Sequence, residues 1–138
     1  KLTAIVAPAG YGKTVLAQQL AQNAGAPVVW YQVDEYDNDL MVFVSHLVAG
    51  FRRHFAGFGA EAVELLKKEE RSAAVVRDTV AGLVNELAER LEGVSLIVLD
   101  DYHFVTAEPV HRWLAYFIRF IPQGSTCLSP PGHRCRYR

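Results

Sequence analysis

The residues Ala7-Pro8-Ala9-Gly10-Tyr11-Gly12-Lys13-Thr14 combine two glycines, a lysine and a hydroxyl in the order a phosphate-binding loop needs. Gly10 and Gly12 let the backbone wrap closely around phosphate oxygens, in conformations a side chain disfavours. Ala9 and Tyr11 complete the cradle, and the start of a following helix offers unpaired N–H groups and the positive end of its dipole. Lys13 has the reach for the β- and γ-phosphates, and Thr14 has a hydroxyl for Mg²⁺. Ala7 stands where the usual G-x-x-x-x-G-K-[ST] pattern has its first glycine, so this is a variant of the motif. Its alternative reading is a chance Gly-Lys-Thr turn ahead of an ordinary helix.

A second group of residues makes the first more telling. Residues 94–99 (V-S-L-I-V-L) are an apolar, β-branched run that ends in Asp100-Asp101. A parallel strand buried on both faces reads as such a run, and ligands bind at the carboxyl ends of parallel strands. Asp100 is therefore expected at Mg²⁺, through a water, because this ion keeps much of its hydration shell. Asp101 is the candidate to orient or deprotonate an attacking water. Against this stands the reading in which both acids merely cap the next turn. The two segments together have the form of a Walker A and Walker B pair.

These residues need a framework, and the pattern supplies one. Residues 2–6 and 28–33 read as strands, and residues 14–22 as the helix after the loop. The acidic connection 34–39 ends in Asn38 and Asp39, either of which can cap the next helix. That helix carries a stripe of Leu40, Phe43, Val44, Leu47, Phe51 and Phe55. Residues 60–68 predict a short helix. A longer one follows, marked by Val76, Val80, Leu83, Val84, Leu87 and Leu91, and a last one by Val110, Trp113, Leu114, Phe117, Ile118 and Ile121. Strands alternating with helices predict an α/β fold, a parallel sheet with helices on both faces.

The 138 residues suffice for one domain with a sizeable core. With 51% hydrophobic and 21% charged residues, the composition is that of a soluble globular chain. A formal net charge of −1 gives no electrostatic case for nucleic-acid binding by this segment. No apolar run approaches the ~20 residues of a membrane span, and no signal peptide is visible. Cys127 and Cys135 make no disulfide framework, so a cytoplasmic location is the expectation.

Three blocks, A-P-A-G-Y-G-K-T at 7–14, V-W-Y-Q-V-D-E-Y-D-N-D at 29–39 and L-I-V-L-D-D-Y-H at 96–103, resemble one family in order and spacing. It is the nucleotide-binding domain of MalT-type large ATP-dependent transcriptional regulators, within the LuxR superfamily and the STAND class of P-loop NTPases. The resemblance implies a three-layer P-loop NTPase fold, truncated here, over residues 1–123, acting as an ATP-binding switch. It also implies self-association of the full-length regulator and DNA contact through a separate helix-turn-helix module absent from this chain. By position, Gly10, Gly12, Lys13 and Thr14 would hold ATP and Mg²⁺, with Asp100 and Asp101 as the acidic pair.

Two departures qualify that picture. The family continues with an apolar strand ending in Ser/Thr-Arg; here Ser125-Thr126-Cys127-Leu128-Ser129-Pro130 stands instead, without the arginine. Residues 124–138 are a Pro/Gly/Arg-rich tail, readable as a divergent ending, a cloning scar or a change of reading frame. Only residues 125–129 have the character to extend the sheet, and loss of the family's strand would damage the sheet's centre. Three functions stay open on this reading: a slow regulatory ATP switch, a P-loop phosphotransferase, or an inactive fragment of a regulator. Other residues are expected to be structural. Asp34, Asp37 and Asp39 read as an acidic capping loop, Trp30 and Tyr31 as packing, and His103 as a packed loop histidine near the acidic pair.

Overall fold

The computed structural model describes residues 12–24, 28–67, 72–90, 95–121 and 125–128. The chain runs α1 (Lys13–Ala24), β1 (Val28–Gln32), a 3-10 turn (Glu35–Asn38), α2 (Leu40–Arg52), α3 (Ala60–Lys67) and α4 (Ala73–Arg90). It then continues through β2 (Ser95–Asp100), a second 3-10 turn (Tyr102–Phe104), α5 (Glu108–Phe120) and β3 (Ser125–Leu128). The expected strand at residues 2–6 lies outside the described residues.

Strands β1 and β2 pair in parallel, with Val28 opposite Leu96 and Gln32 opposite Asp100. Strand β3 pairs in parallel on the other flank of β2, from Ser95↔Ser125 to Val98↔Leu128, giving the order β1-β2-β3. Ser125–Leu128 lies within the residues of the tail expected to be able to extend the sheet, and it does so, so that β2 is paired on both sides. A parallel pair cannot be joined by a tight turn, so the chain crosses from β1 to β2 through three helices.

The sheet's two faces follow from the alternation of side chains along its strands. Val29, Tyr31, Ile97 and Leu99 join the main core with residues of α2, α3, α4 and α5. Leu96 and Val98 form a second, smaller cluster with Val28 and Trp30. On α5 the spacing of Val110, Trp113, Leu114, Phe117 and Ile118 puts all five on one buried stripe. Burial of each such side chain is worth about 2 kcal/mol. Trp113 stacks on Phe117 at 5.2 Å and meets Phe43 of α2 edge-on at 6.3 Å. Phe43 in turn touches Tyr31 at 5.4 Å and Tyr102 at 6.4 Å, so an aromatic cluster reaches the loop just past Asp101.

Local chemistry sets the helix starts. The Asp34 carboxylate accepts from the Tyr36 N–H at 2.8 Å, and Asp37 accepts from the Asp34 N–H at 2.8 Å, a reciprocal capping box. Asp39 caps α2 by accepting from Met41 and Val42 N–H at 2.7 and 3.2 Å. The acidic segment is thus a capping loop. Gly59, with φ +67°, precedes α3 where an added Cβ would stand 2.8 Å from Val48 and 2.9 Å from Leu83. No other residue fits both that backbone and that space.

Candidate functional site

Helix α1 begins at Lys13, directly after Gly12, whose φ of +71° lies in the left-handed region. Its first turn closes through Leu16 N–H to Gly12 C=O at 2.9 Å. This start stands next to the carboxyl end of β2. There the Thr14 hydroxyl donates to Asp100 Oδ2 at 3.0 Å. The other carboxylate oxygen of Asp100 accepts from the Asp101 N–H at 3.1 Å, which fixes the carboxylate's plane. The Asp100 carbonyl accepts from Val33 N–H at 2.9 Å, carrying the β1–β2 ladder up to the site.

Asp101 has φ +56° and ψ +28°, the left-handed region, where a non-glycine residue is under strain. It stands at the cap position of the second 3-10 turn, yet its side chain makes no capping hydrogen bond. Its carboxylate is partly exposed to solvent. His103 Nδ1 lies 3.8 Å from Asp101 Oδ1, with the imidazole well exposed and its ring over Phe104 at 4.3 Å. The expectation of a packed loop histidine is corrected: this turn buries Tyr102, and His103 points away from the core.

The sequence-expected residues divide as follows. Thr14 and Asp100 meet directly, and Asp101 adjoins them. Gly12 has the backbone the loop needs. Of Lys13 only the backbone is described, and Ala9, Gly10 and Tyr11 lie outside the described residues. Among the described residues no cluster of three or more His, Cys, Asp or Glu is arranged to hold a metal ion. An ion at this place would draw on a hydroxyl, one or two carboxylates and water, the donor set that suits Mg²⁺.

Sequence reasoning missed Asn38. Its amide crosses from the β1–α2 connection to the β2–α5 connection. Nδ2 donates to the Glu35 and Phe104 carbonyls, both at 3.0 Å. Oδ1 accepts from Thr106 N–H at 2.7 Å, Ala107 N–H at 2.9 Å and the Thr106 hydroxyl at 3.2 Å. An asparagine just before a helix signals a cap, and nothing local signals partners 66–69 positions away.

Beneath this loop lies a buried polar centre. Asp37 is fully buried and accepts from Asp34 N–H, while its second oxygen is 2.9 Å from His46 Nδ1. The Tyr31 hydroxyl turns toward Asp37 but finds no hydrogen-bond partner at proper geometry among the described residues. Burial, first, and the neighbouring Asp37 and Asp34 carboxylates push its pKa far above the ordinary phenol value.

The geometry defines an α/β chain whose acidic strand end meets a glycine-led helix start. Its sequence is 33% identical over 128 residues to the HTH-type transcriptional regulator MalT of Yersinia enterocolitica. The match covers 93% of this chain and 14% of that regulator, so the chain spans about a seventh of the curated relative's length. The chain is related to a MalT regulator over nearly all of its own length. No family model matches it. None of the helices among the described residues is long and apolar enough to cross a membrane.

Proposed function

We propose that this chain is the ATP-binding switch domain of a multidomain transcriptional regulator, built on a three-layer P-loop NTPase fold over residues 1–123 whose sheet β3 continues at Ser125–Leu128. The observation that carries the reading is the 3.0 Å hydrogen bond from Thr14 to Asp100. A threonine hydroxyl has one proton and two lone pairs. With the proton given to Asp100, a lone pair remains for Mg²⁺, and the carboxylate reaches the same ion through water. Both residue types are needed at this distance, and a chance turn before a helix has no reason to meet a strand-end carboxylate 86 positions away.

Residues 9–14 then cradle the phosphates. Backbone N–H groups of this stretch and of the first turn of α1 would receive the phosphate oxygens, and Lys13 would neutralise the β- and γ-phosphates. Mg²⁺, when bound, offsets charge on the same oxygens. Asp101 aims a carboxylate at the water that attacks the γ-phosphate, and the strained backbone sets that aim. Hydrolysis is slow, as suits a device whose state follows occupancy of the γ-phosphate site. The relative is by its name a helix-turn-helix regulator. DNA contact therefore belongs to a module outside this chain, self-association to the full-length regulator, and the location is cytoplasmic.

The deciding experiment is a titration of the chain with Mg-ATP by calorimetry, beside Lys13→Ala. Saturable binding that depends on Mg²⁺ and weakens at least ~30-fold in the variant is the expected result, because a charge-assisted phosphate contact is lost. Equal binding by both chains, or none by either, would refute the nucleotide site.

A further inference from the structure

Asn38 has no place in phosphate or metal binding, yet every hydrogen-bonding group of its amide is used. Its oxygen faces three donors and its nitrogen two carbonyls, so the amide's orientation admits no reversal. The segment it grips, Phe104–Ala107, is the far end of the loop that starts at Asp101. Between the two lies a single 3-10 turn closed by Phe104 N–H to Asp101 C=O and Val105 N–H to Tyr102 C=O, both 3.1 Å. The turn's middle is anchored by Tyr102, whose hydroxyl is 2.7 Å from His111 Nδ1 on α5. Asp101 itself has a left-handed backbone and no side-chain cap to hold it there. A strained residue persists only where its surroundings over-determine it, and the strongest hold on the loop's exit is the Asn38 amide.

We infer that Asn38 is a positioning residue: it holds the loop that keeps Asp101 in its left-handed conformation and thereby aims the Asp101 carboxylate. The hydrolytic role of Asp101 rests on the nucleotide-site reading above. The geometric part of the inference does not. No other side chain reproduces the grip. Aspartate keeps an acceptor but turns a carboxylate on the Glu35 and Phe104 carbonyls, and alanine leaves both carbonyls and the Thr106 and Ala107 N–H groups without it.

Two readouts test this on the whole 138-residue chain, with Asn38→Ala and Asn38→Asp checked for folding by circular dichroism. The first is the intraresidue HN–Hα nuclear Overhauser effect of Asp101, which is strong at positive φ. It should weaken in both variants and persist in Lys13→Ala. The second is single-turnover hydrolysis with protein in excess over Mg-ATP. Asn38→Ala should keep binding within about threefold yet slow hydrolysis ~10-fold or more, since small misplacements erode such catalysis. In an Asp101→Asn background the same change should cost nothing further, because residues acting as a unit are non-additive. An Asp101 signal unchanged in both variants, or an equal loss of rate in the Asp101→Asn background, overturns the inference. A wild-type chain that binds no Mg-ATP would sink the nucleotide reading alone, and the Asp101 signal would still decide for or against Asn38. If Asn38→Ala fails to fold, Asn38→Asp, which retains the acceptor oxygen, carries the comparison.

Discussion

Thr14 and Asp100 are joined by a hydrogen bond across 86 positions of sequence, at 3.0 Å, where the start of α1 meets the end of β2. The bond's meaning is electrostatic. On the proposed reading, the hydroxyl oxygen and the carboxylate it meets would serve one Mg²⁺ ion, the carboxylate through water.

Asp100→Asn should therefore uncouple ATP binding from Mg²⁺. Affinity with Mg²⁺ present is expected to fall about tenfold or more, while binding in excess chelator changes little, because the carboxylate acts through the ion. Parallel calorimetric titrations with and without Mg²⁺ check this. An equal fall in both conditions would place Asp100 on the nucleotide itself.

Asp101→Asn should leave Mg-ATP affinity nearly intact and lower whatever turnover exists. Asparagine tolerates the left-handed backbone, so the loop survives the exchange. The wild-type chain is itself expected to be a poor ATPase, since proline, and no arginine, stands directly after Ser129 where a cation would offset charge on the γ-phosphate. A supplied arginine is worth roughly 10³–10⁵ in rate. Steady-state phosphate release at a rate usual for metabolic enzymes would count against the switch and for a self-sufficient enzyme.

Gly59→Ala should cost about 2–4 kcal/mol, from overpacking against Val48 and Leu83 added to left-handed strain. Gly57→Ala is the control: its φ is +74°, but among the described residues no atom beyond its chain neighbours lies within 4 Å of the added Cβ. That variant should lose only the backbone part, about 1 kcal/mol. Urea midpoints for the two chains give the difference directly, and equal losses would refute the crowding at Gly59.

Tyr31→Phe removes a buried hydroxyl with no partner among the described residues, so stability near neutral pH should hold or rise by up to about 1 kcal/mol. At high pH the two chains diverge. The unfolded phenol titrates near 10, whereas the folded one keeps its proton well beyond that. Above pH ~10 the unfolded state binds fewer protons, and the wild type loses stability as pH rises. The phenylalanine variant should lack this contribution. Thermal midpoints measured from pH 8 to 11 would show it, and parallel curves would contradict it.

Much of this framework is legible in the sequence because its elements obey one period each. The stripes on α2 and α5 pick out Leu40, Phe43, Val44, Leu47 and Phe51, and Val110, Trp113, Leu114, Phe117 and Ile118, all of which are buried, whereas Phe55 and Ile121 lie past the helix ends and are only partly buried. Asp39 announces its helix through a local rule and obeys it. Strand β3 is legible only as a possible extension of the sheet, because Ser-Thr-Cys-Leu has weak apolar character and pairing along β2 is what recruits it. His103 escapes such rules, since a 3-10 turn has too few residues for a period to say which side chain faces in. Asn38 is the clearest omission, because its partners are chosen by the meeting of two loops and leave no local trace.

That meeting reaches further along the chain. Asn38 grips the loop after Asp101, and the next residue, Asp39, holds the first N–H groups of α2. The two sets of contacts share a single dipeptide, with the acidic pair on one side and the 13-residue α2 on the other. Packed cores shift between discrete arrangements and do not yield gradually. A displacement of the Asp101 loop would thus arrive at α2 as motion of the whole rod, and from there at whatever rests against it.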